Sequence, residues 1–125
     1  MPATILIVEN HIAVRKALRD WLQAEFPRFR VLAVASGEEA IALARDESPR
    51  LIVMEVRLAG MNGIETTRQF KAAWPLSQIV MLTIYADDIY CAEARAAGAS
   101  ACVTKQRMHS ELVPTLAALL ASCPA

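Results

Sequence analysis

Five short runs of aliphatic or β-branched residues recur along the chain and alternate with longer amphipathic segments. The runs are Thr4–Val8, Arg30–Ala33, Leu51–Glu55, Gln78–Thr83 and Ala101–Thr104. Each run is typical of a buried strand, whereas the segments between them repeat apolar residues at helical spacing. Such alternation is typical of a parallel sheet with helices on both faces, joined by right-handed crossovers. The pattern therefore predicts a doubly wound α/β domain.

Capping and turn residues mark the predicted helix ends. Ser36-Gly-Glu-Glu39 has the serine and glutamate offset of a capping box, which starts the second helix at Ser36, and Pro49 marks its exit. Gly60-Met-Asn-Gly63 predicts a turn after the third strand. Trp74-Pro75 and Gly98 are expected to end the third and fourth helices.

The first and last helices are predicted from apolar side chains at helical spacing. These positions are Ile12, Val14, Leu18, Trp21 and Leu22 in the first helix, and Leu112, Val113, Leu116, Leu119 and Leu120 in the last. Leucines at this spacing belong to a core more often than to a docking surface. Pro114 is expected near the first turn of the last helix, where one backbone hydrogen bond is lost.

Length, charge and hydropathy limit the classes of function. From a chain of 125 residues we expect a single domain over 1–125, into which a catalytic domain plus an output domain would not fit. Lysine plus arginine and aspartate plus glutamate each total 13, so the net charge of zero argues against direct nucleic-acid binding. The sequence shows neither a membrane-spanning run nor a secretory signal. We therefore expect a cytoplasmic protein that binds no membrane.

The cysteines and histidines are expected to be structural. Cys91, Cys102 and Cys123 are odd in number, lie far apart and lack a Cys-x-x-Cys pair. This spacing favours reduced, buried thiols over a disulfide or a zinc site. His11 and His109 are far apart in sequence, and each is expected at the surface or at a helix cap.

Polar residues stand where the predicted strands end. Glu9 and Asn10 follow the first strand, Glu55 ends the third, Thr83 ends the fourth and Lys105 follows the fifth. The carboxyl ends of parallel strands meet at one edge of a sheet, so we expect these residues to converge. Carboxylate and amide oxygens suit Mg²⁺, and a hydroxyl with an ammonium suits phosphate oxygens. The set indicates phosphoryl chemistry, although no phosphate-binding glycine loop for nucleotides is present.

These residues lie in segments that resemble the receiver domain of bacterial two-component response regulators, the CheY-like domain. The matching segments are Ile5–His11, Leu51–Gly63, Val80–Thr83, and Ala97–Ser100 followed by Lys105. His11, the Met61–Glu65 segment and the Gly-Ala-Ser sequence are most similar to receivers of LuxR/NarL-type regulators. The resemblance implies a flavodoxin-like, three-layer sandwich with five parallel strands in the order 2-1-3-4-5. It also implies a switch in which a histidine kinase phosphorylates an aspartate at the end of the third strand.

The resemblance assigns a role to six positions, several of which depart from the family pattern. The phosphoacceptor position is Glu55, the acidic pair that holds Mg²⁺ is Glu9 and Asn10, the phosphate-sensing pair is Thr83 and Lys105, and the aromatic-switch position is Cys102.

Two of these departures oppose phosphorylation. Glu55 adds a methylene, and a displacement of about 1 Å at a reacting group can cost roughly 100-fold in rate. Asn10 removes a negative charge, so Mg²⁺ is expected to bind weakly or not at all. The longer carboxylate is placed to meet Lys105 and Thr83 in partial imitation of a phosphoryl group. We therefore expect a pseudo-receiver that acts by phosphorylation-independent protein interaction.

Three alternatives remain open from the sequence. One is a phosphorylation-competent receiver with an unusual acceptor, and another is a small Mg²⁺-dependent phosphohydrolase that uses Glu9 and Glu55. The third is a pure scaffold role, in which the polar residues at the strand ends serve stability only.

The resemblance places the output surface at Asp87–Ala121. The candidates on it for a dimer or docking patch are Tyr85, Tyr90, Met108 and the Leu112 stripe. The partners that the resemblance implies are a histidine kinase, a DNA-binding output on another chain, or a second copy in a homodimer.

Overall fold

Five parallel strands form the central sheet of the computed structural model, which describes residues 3–84 and 88–122. The strands are β1 (Thr4–Val8), β2 (Arg30–Val34), β3 (Leu51–Glu55), β4 (Gln78–Thr83) and β5 (Ala101–Thr104). They pair in the order β2-β1-β3-β4-β5, which confirms the predicted doubly wound α/β fold.

Within the same residues, five helices alternate with the strands. They are α1 (Ile12–Glu25), α2 (Gly37–Glu47), α3 (Gly63–Ala73), α4 (Asp88–Ala96) and α5 (Met108–Ser122). A 3₁₀ turn, Lys105–Arg107, connects β5 to α5. None of the helices in the described ranges combines the length and the apolar character needed to cross a bilayer.

The two faces of the sheet have separate cores because successive side chains of a strand point to opposite faces. One core joins the sheet to α2, α3 and α4, and Phe70 is its largest fully buried side chain. The other joins the sheet to α1 and α5 through Leu22 and Leu112. The central strands β1, β3 and β4 are almost fully buried, whereas the edge strands β2 and β5 are only partly buried.

The predicted start and end of α2 are confirmed. Ser36 caps α2 by accepting a hydrogen bond from the Glu39 N–H at 3.1 Å, and the Glu39 carboxylate accepts one from the Ala35 N–H at 3.2 Å. Ser48 then takes a left-handed conformation immediately before Pro49, and α2 ends there. Local capping chemistry alone accounts for these ends.

One prediction about the outer helices was wrong, and it concerns Pro114. Pro114 lies inside α5 rather than near its first turn, because the helix already begins at Met108, directly after the 3₁₀ turn. The leucine stripe behaves as a core element, with Leu112 and Leu116 fully buried.

A disulfide links Cys91 of α4 to Cys102 of β5, with a distance of 5.7 Å between their Cα atoms. The prediction of reduced thiols was therefore wrong for this pair. The segment between them folds back through Gly98, which has a positive φ of 115°, so that the end of the helix and the strand become neighbours. Cys123 lies outside the described residues.

Both histidines have the surface or capping roles that were predicted. His11 is the N-cap of α1, where its Nδ1 accepts a hydrogen bond from the Val14 N–H at 3.4 Å. The exposed His109 lies against the Trp21 ring, with 5.8 Å between centroids. In the part of the chain that the structure describes, no three His, Cys, Asp or Glu side chains are grouped to hold a metal ion.

Candidate functional site at the carboxyl edge of the sheet

The strand order brings the polar strand-end residues together at one edge of the sheet. Glu55 and Thr83 are the last residues of β3 and β4, and Glu9 and Lys105 directly follow β1 and β5. The Glu9 N–H donates a hydrogen bond to the Val34 carbonyl at 3.1 Å, which extends the pairing of β1 with β2. This pairing fixes the backbone of Glu9 beside the sheet, and its side chain is only 2% exposed.

Lys105 bridges the two buried carboxylates. Its Nζ lies 2.5 Å from Oε2 of Glu55 and donates to Oε1 and Oε2 of Glu9 at 3.2 and 3.4 Å. The Glu55 side chain is 5% exposed and the Lys105 side chain 20% exposed. One cation from the end of β5 therefore links anions at the ends of β1 and β3.

The environment of this cluster shifts two pKa values. Burial raises the pKa of the Glu9 carboxyl above its ordinary value of 4.5; Lys105 opposes this effect and Glu55 adds to it. For Lys105, burial by itself would lower the pKa, but contact with Glu55 and Glu9 outweighs burial and raises the pKa above 10.5. Lys105 therefore keeps its positive charge at neutral pH.

The loop after β3 is held against Glu55 by backbone contacts. Oε1 of Glu55 accepts a hydrogen bond from the Arg57 N–H at 3.2 Å. The Gly63 N–H donates to the Val56 carbonyl at 2.9 Å, and a Cβ at Gly63 would overlap the carbonyl oxygen of Glu55. Asn62 caps α3 by accepting from the Glu65 N–H at 2.9 Å. The absence of a side chain at Gly63 thus allows the start of α3 to lie directly against the backbone of Glu55.

Asn10 is exposed to solvent, unlike the buried Glu9 and Glu55. An arginine that sequence reasoning missed, Arg15 of α1, donates to the backbone carbonyls of Glu9 and Asn10 at 3.0 and 3.5 Å. Because the Arg15 contacts are to backbone oxygens, no pattern of side-chain types in the sequence indicates them.

The donor set fits a Mg²⁺ ion poorly. A magnesium site needs oxygen ligands whose negative charge is free to face the ion. Here the ammonium of Lys105 already contacts both carboxylates, and the remaining candidate, Asn10, is a neutral amide. The charge that a divalent ion would supply is therefore partly supplied by Lys105.

The other two positions of the predicted switch are on β4 and β5. Thr83 is fully buried and stands in register with Thr104, the residue before Lys105. Cys102 stands in register with Met81 and packs against the core on the α4 face of the sheet. The aromatic-switch position therefore holds one half of the disulfide rather than the free thiol expected from the sequence.

The structure describes only part of the predicted docking patch. Tyr85 and Asp87 lie outside the described residues, and Tyr90 is half-buried. Met108 is half-buried and lies in an apolar groove of about 410 Å³ between α1 and α5, lined also by Trp21 and His109. On α4 itself, Ile89 is 63% exposed.

Comparison with known proteins identifies the family to which the chain belongs. Residues 5–117 match the family described as the response regulator receiver domain. The response regulator VraR of Staphylococcus saprophyticus is 30% identical over 116 residues, which cover 93% of this chain and 56% of that protein. The response regulator GacA of Pseudomonas protegens is 30% identical over 113 residues, covering 90% of this chain and 53% of GacA. The chain thus spans about half the length of these curated relatives.

Solved structures show the same likeness. A two-component response regulator of the LuxR family from an Aurantimonas species superposes with a TM-score of 0.89 and 33% identity, covering 97% of this chain and 86% of that one. Receiver domains are in general signalling domains without an enzymatic role; they interact with histidine kinases and output domains, and they typically bind Mg²⁺ at the phosphorylation site. On the strength of the family match and the shared fold, this chain belongs to the receiver-domain family of two-component response regulators, among those of the LuxR type.

Proposed function

We propose that this chain is a pseudo-receiver, which acts through protein interaction without being phosphorylated. The observation that carries the proposal is the 2.5 Å contact between Glu55 and Lys105. The family resemblance assigns Glu55 to the phosphoacceptor position and Lys105 to the cation that senses the phosphoryl group. In this chain the acceptor carboxylate meets the sensing cation directly.

The charge of Glu55 supports only partial imitation of a phosphorylated site. A carboxylate carries one negative charge, whereas a phosphoryl group carries roughly 1.5–2 at neutral pH. Breaking the Glu55 pair would leave a buried charge without its partner, which is costly. We therefore propose that the pair holds the domain in one state. Thr83, at the end of the neighbouring strand, is the hydroxyl that we assign to the same site.

Mg²⁺ has at most a minor role in this proposal. Glu9, Asn10 and Glu55 are the residues that would hold the ion, and Lys105 competes with it for both carboxylates. A bound ion would supply charge neutralisation for phosphoryl transfer. We expect weak binding of Mg²⁺, or none, in the unaltered chain.

The proposed partner surface is the face formed by α4, β5 and α5, residues 88–121. We propose that it contacts a protein partner in the cytoplasm: a histidine kinase, a DNA-binding output segment or a second copy of the chain. The LuxR-type relatives make transcription regulation the expected process. We further propose that residues 1–125 act as one receiver-like unit.

An intact-mass experiment with a small acyl phosphate and Mg²⁺ tests the absence of phosphorylation. We expect no phosphoryl adduct on the unaltered chain, and an adduct on the Glu55→Asp, Asn10→Asp variant, which restores the family's carboxylates. The matched control is Glu55→Asn with Asn10→Asp, which has the same length of side chain but no nucleophilic carboxylate. An adduct on the unaltered chain would mean a competent receiver with an unusual acceptor, and saturable phosphatase turnover would mean a phosphohydrolase.

A second experiment tests whether Glu55 holds the domain in one state. Amide hydrogen exchange of α4 and β5 is compared between the unaltered chain, Glu55→Ala and Glu55→Gln. Both variants remove the charge that pairs with Lys105, but glutamine keeps the size of the side chain. We expect faster exchange in both. Exchange and partner binding that stay unchanged in Glu55→Ala would show that the pair does not set the state.

A further inference from the structure

The disulfide joins two elements of the proposed partner surface. Cys91 belongs to α4 and Cys102 to β5, and 11 positions separate them in sequence. Both residues are half-buried, so part of each is exposed to solvent. The bond lies on the α4 side of the sheet, apart from the ion pairs of Lys105.

The attachment of α4 to the sheet depends on few buried side chains. Among residues 89–96, for which exposure is described, Ala94 is the only fully buried one. A methyl group buries little apolar area, and segments with few buried apolar contacts open locally at low cost. Tyr90 is partly buried against the same core, and the covalent bond from Cys91 to Cys102 adds a direct link between this helix and β5.

We propose that Cys91 and Cys102 form a redox-reversible site that fixes α4 on β5 when oxidised and releases it when reduced. This inference deepens the proposed function, because it names what acts on the 88–121 face in place of phosphate, and it rests on that face and on the cytoplasmic location proposed above. Disulfides are rare in a reducing cytoplasm, and those present are usually transient and redox-sensing. A reversible disulfide between Cys91 and Cys102 therefore fits this location better than a permanent structural one.

The co-reactant is a low-molecular-weight disulfide such as oxidised glutathione. One cysteine thiolate attacks a sulfur of the small disulfide, forms a mixed disulfide and expels one glutathione thiolate. The second cysteine thiolate attacks the protein sulfur of the mixed disulfide and expels the other glutathione thiolate. The two cysteines lose two electrons and two protons, and the glutathione disulfide gains both as two thiols. An excess of reduced glutathione reverses each step.

The test uses the full chain with Cys123→Ser, so that only the two cysteines of the site titrate. The protein is equilibrated at a series of ratios of reduced to oxidised glutathione, quenched, alkylated and weighed intact. Amide exchange of residues 88–96 is measured on the same samples. We expect a single two-electron transition, and exchange in 88–96 that is about tenfold faster in the reduced form, since local opening sets these rates. β1, at the centre of the sheet, should exchange equally slowly in both forms.

The variants Cys91→Ser and Cys102→Ser in the same background are the controls. Each should show the fast exchange of 88–96 at every glutathione ratio. Absence of the disulfide in oxidising buffer would overturn the inference, and so would exchange of 88–96 that is the same in both redox forms. A phosphoryl adduct in the acyl phosphate experiment would end the proposed pseudo-receiver without altering either redox result, so the two failures are distinguishable.

Discussion

The strand β5 is tied to the rest of the molecule at two places, in two chemically different ways. Just beyond its end, Lys105 forms ion pairs with Glu9 and Glu55, which follow or end buried central strands. Within the strand, Cys102 forms a disulfide with Cys91 of α4, a helix that has few fully buried side chains among its described residues. The ion pairs therefore join parts that the core already holds together, whereas the disulfide joins a part that the core holds weakly.

This difference predicts different consequences when each link is removed. Loss of the cation leaves two buried carboxylates without a positive charge beside them, which lowers the free energy of unfolding of the whole domain. Loss of the disulfide frees one helix and enlarges the conformational freedom of the unfolded chain. Removing the ion pairs should lower the global free energy of unfolding. Removing the disulfide should lower it too, and should also increase local opening of the 88–121 face.

The largest effect is expected from Lys105→Met. This change keeps the aliphatic stem but leaves Glu9 and Glu55 facing each other without a cation. Removing one partner from a buried ion pair typically costs 3–5 kcal/mol, and the partial exposure of Lys105 places our expectation at about 3 kcal/mol in the free energy of unfolding. Urea unfolding at neutral pH measures it.

The matched control for Lys105→Met is Arg107→Met. The Arg107 side chain is 73% exposed and lies 3.7 Å from Glu111, an ion pair of adjacent turns. Exposed pairs of this kind contribute about 0.5 kcal/mol or less. Equal losses in the two variants would contradict the view that the Lys105 cluster is energetically distinct.

The second effect is expected from reduction of the disulfide. Closing a loop of this length stabilises a protein by about 3 kcal/mol in the chain-entropy model, and measured values often fall lower, so we expect about 2 kcal/mol. Urea unfolding with and without a dithiol reductant measures it. Cys91→Ser, Cys102→Ser and the double variant should lose the same amount, since each removes the same bond. Additive losses would mean that the two side chains contribute independently of the bond.

The smallest effect is expected from the pH dependence that Glu9 contributes. Because its pKa is raised in the folded protein, the folded state binds a proton more readily than the unfolded chain. The stability linked to this proton is fully present below the ordinary pKa of 4.5 and is lost as pH rises through the raised value. Unfolding free energies of the unaltered chain and Glu9→Gln, compared from pH 4 to 7 without divalent ions, isolate this contribution.

Lys105 provides a check at the opposite end of the pH scale. Its pKa lies above 10.5, so its contribution is present below that pH and is lost as pH rises through the raised value. The difference in stability between the unaltered chain and Lys105→Met should therefore stay constant from pH 7 to 10 and shrink above it. A difference that shrinks already near neutral pH would contradict the bridging role of the ammonium.

Local features of the fold were predictable from the sequence because their causes are local. The bounds of β1 and β3 follow from short apolar runs that end at a charged residue or a turn. The start of α2 follows from Ser36 and Glu39, whose hydrogen bonds connect residues three or four positions apart. The convergence of Glu9, Glu55 and Lys105 also followed, because parallel strands align their carboxyl ends.

The contacts made at these positions were not predictable, because they depend on how distant segments meet. The Lys105 and Glu9 pair spans 96 positions, and only the packing of β5 into the sheet determines that one ammonium reaches both carboxylates. The disulfide was missed for the same reason, since the count and spacing of cysteines do not show that α4 lies on β5.

The sequence by itself determined the α/β class, the strands and the helix caps, because these arise from hydrophobic periodicity and short-range hydrogen bonds. It also carried the family resemblance, through the residues that match the family pattern. Tertiary packing decided which charges are buried, that Arg15 holds the backbone after β1, and that Cys102 is bonded rather than free. The physical reason is that burial and side-chain pairing are properties of the assembled sheet and helices, whereas periodicity and capping are properties of each segment.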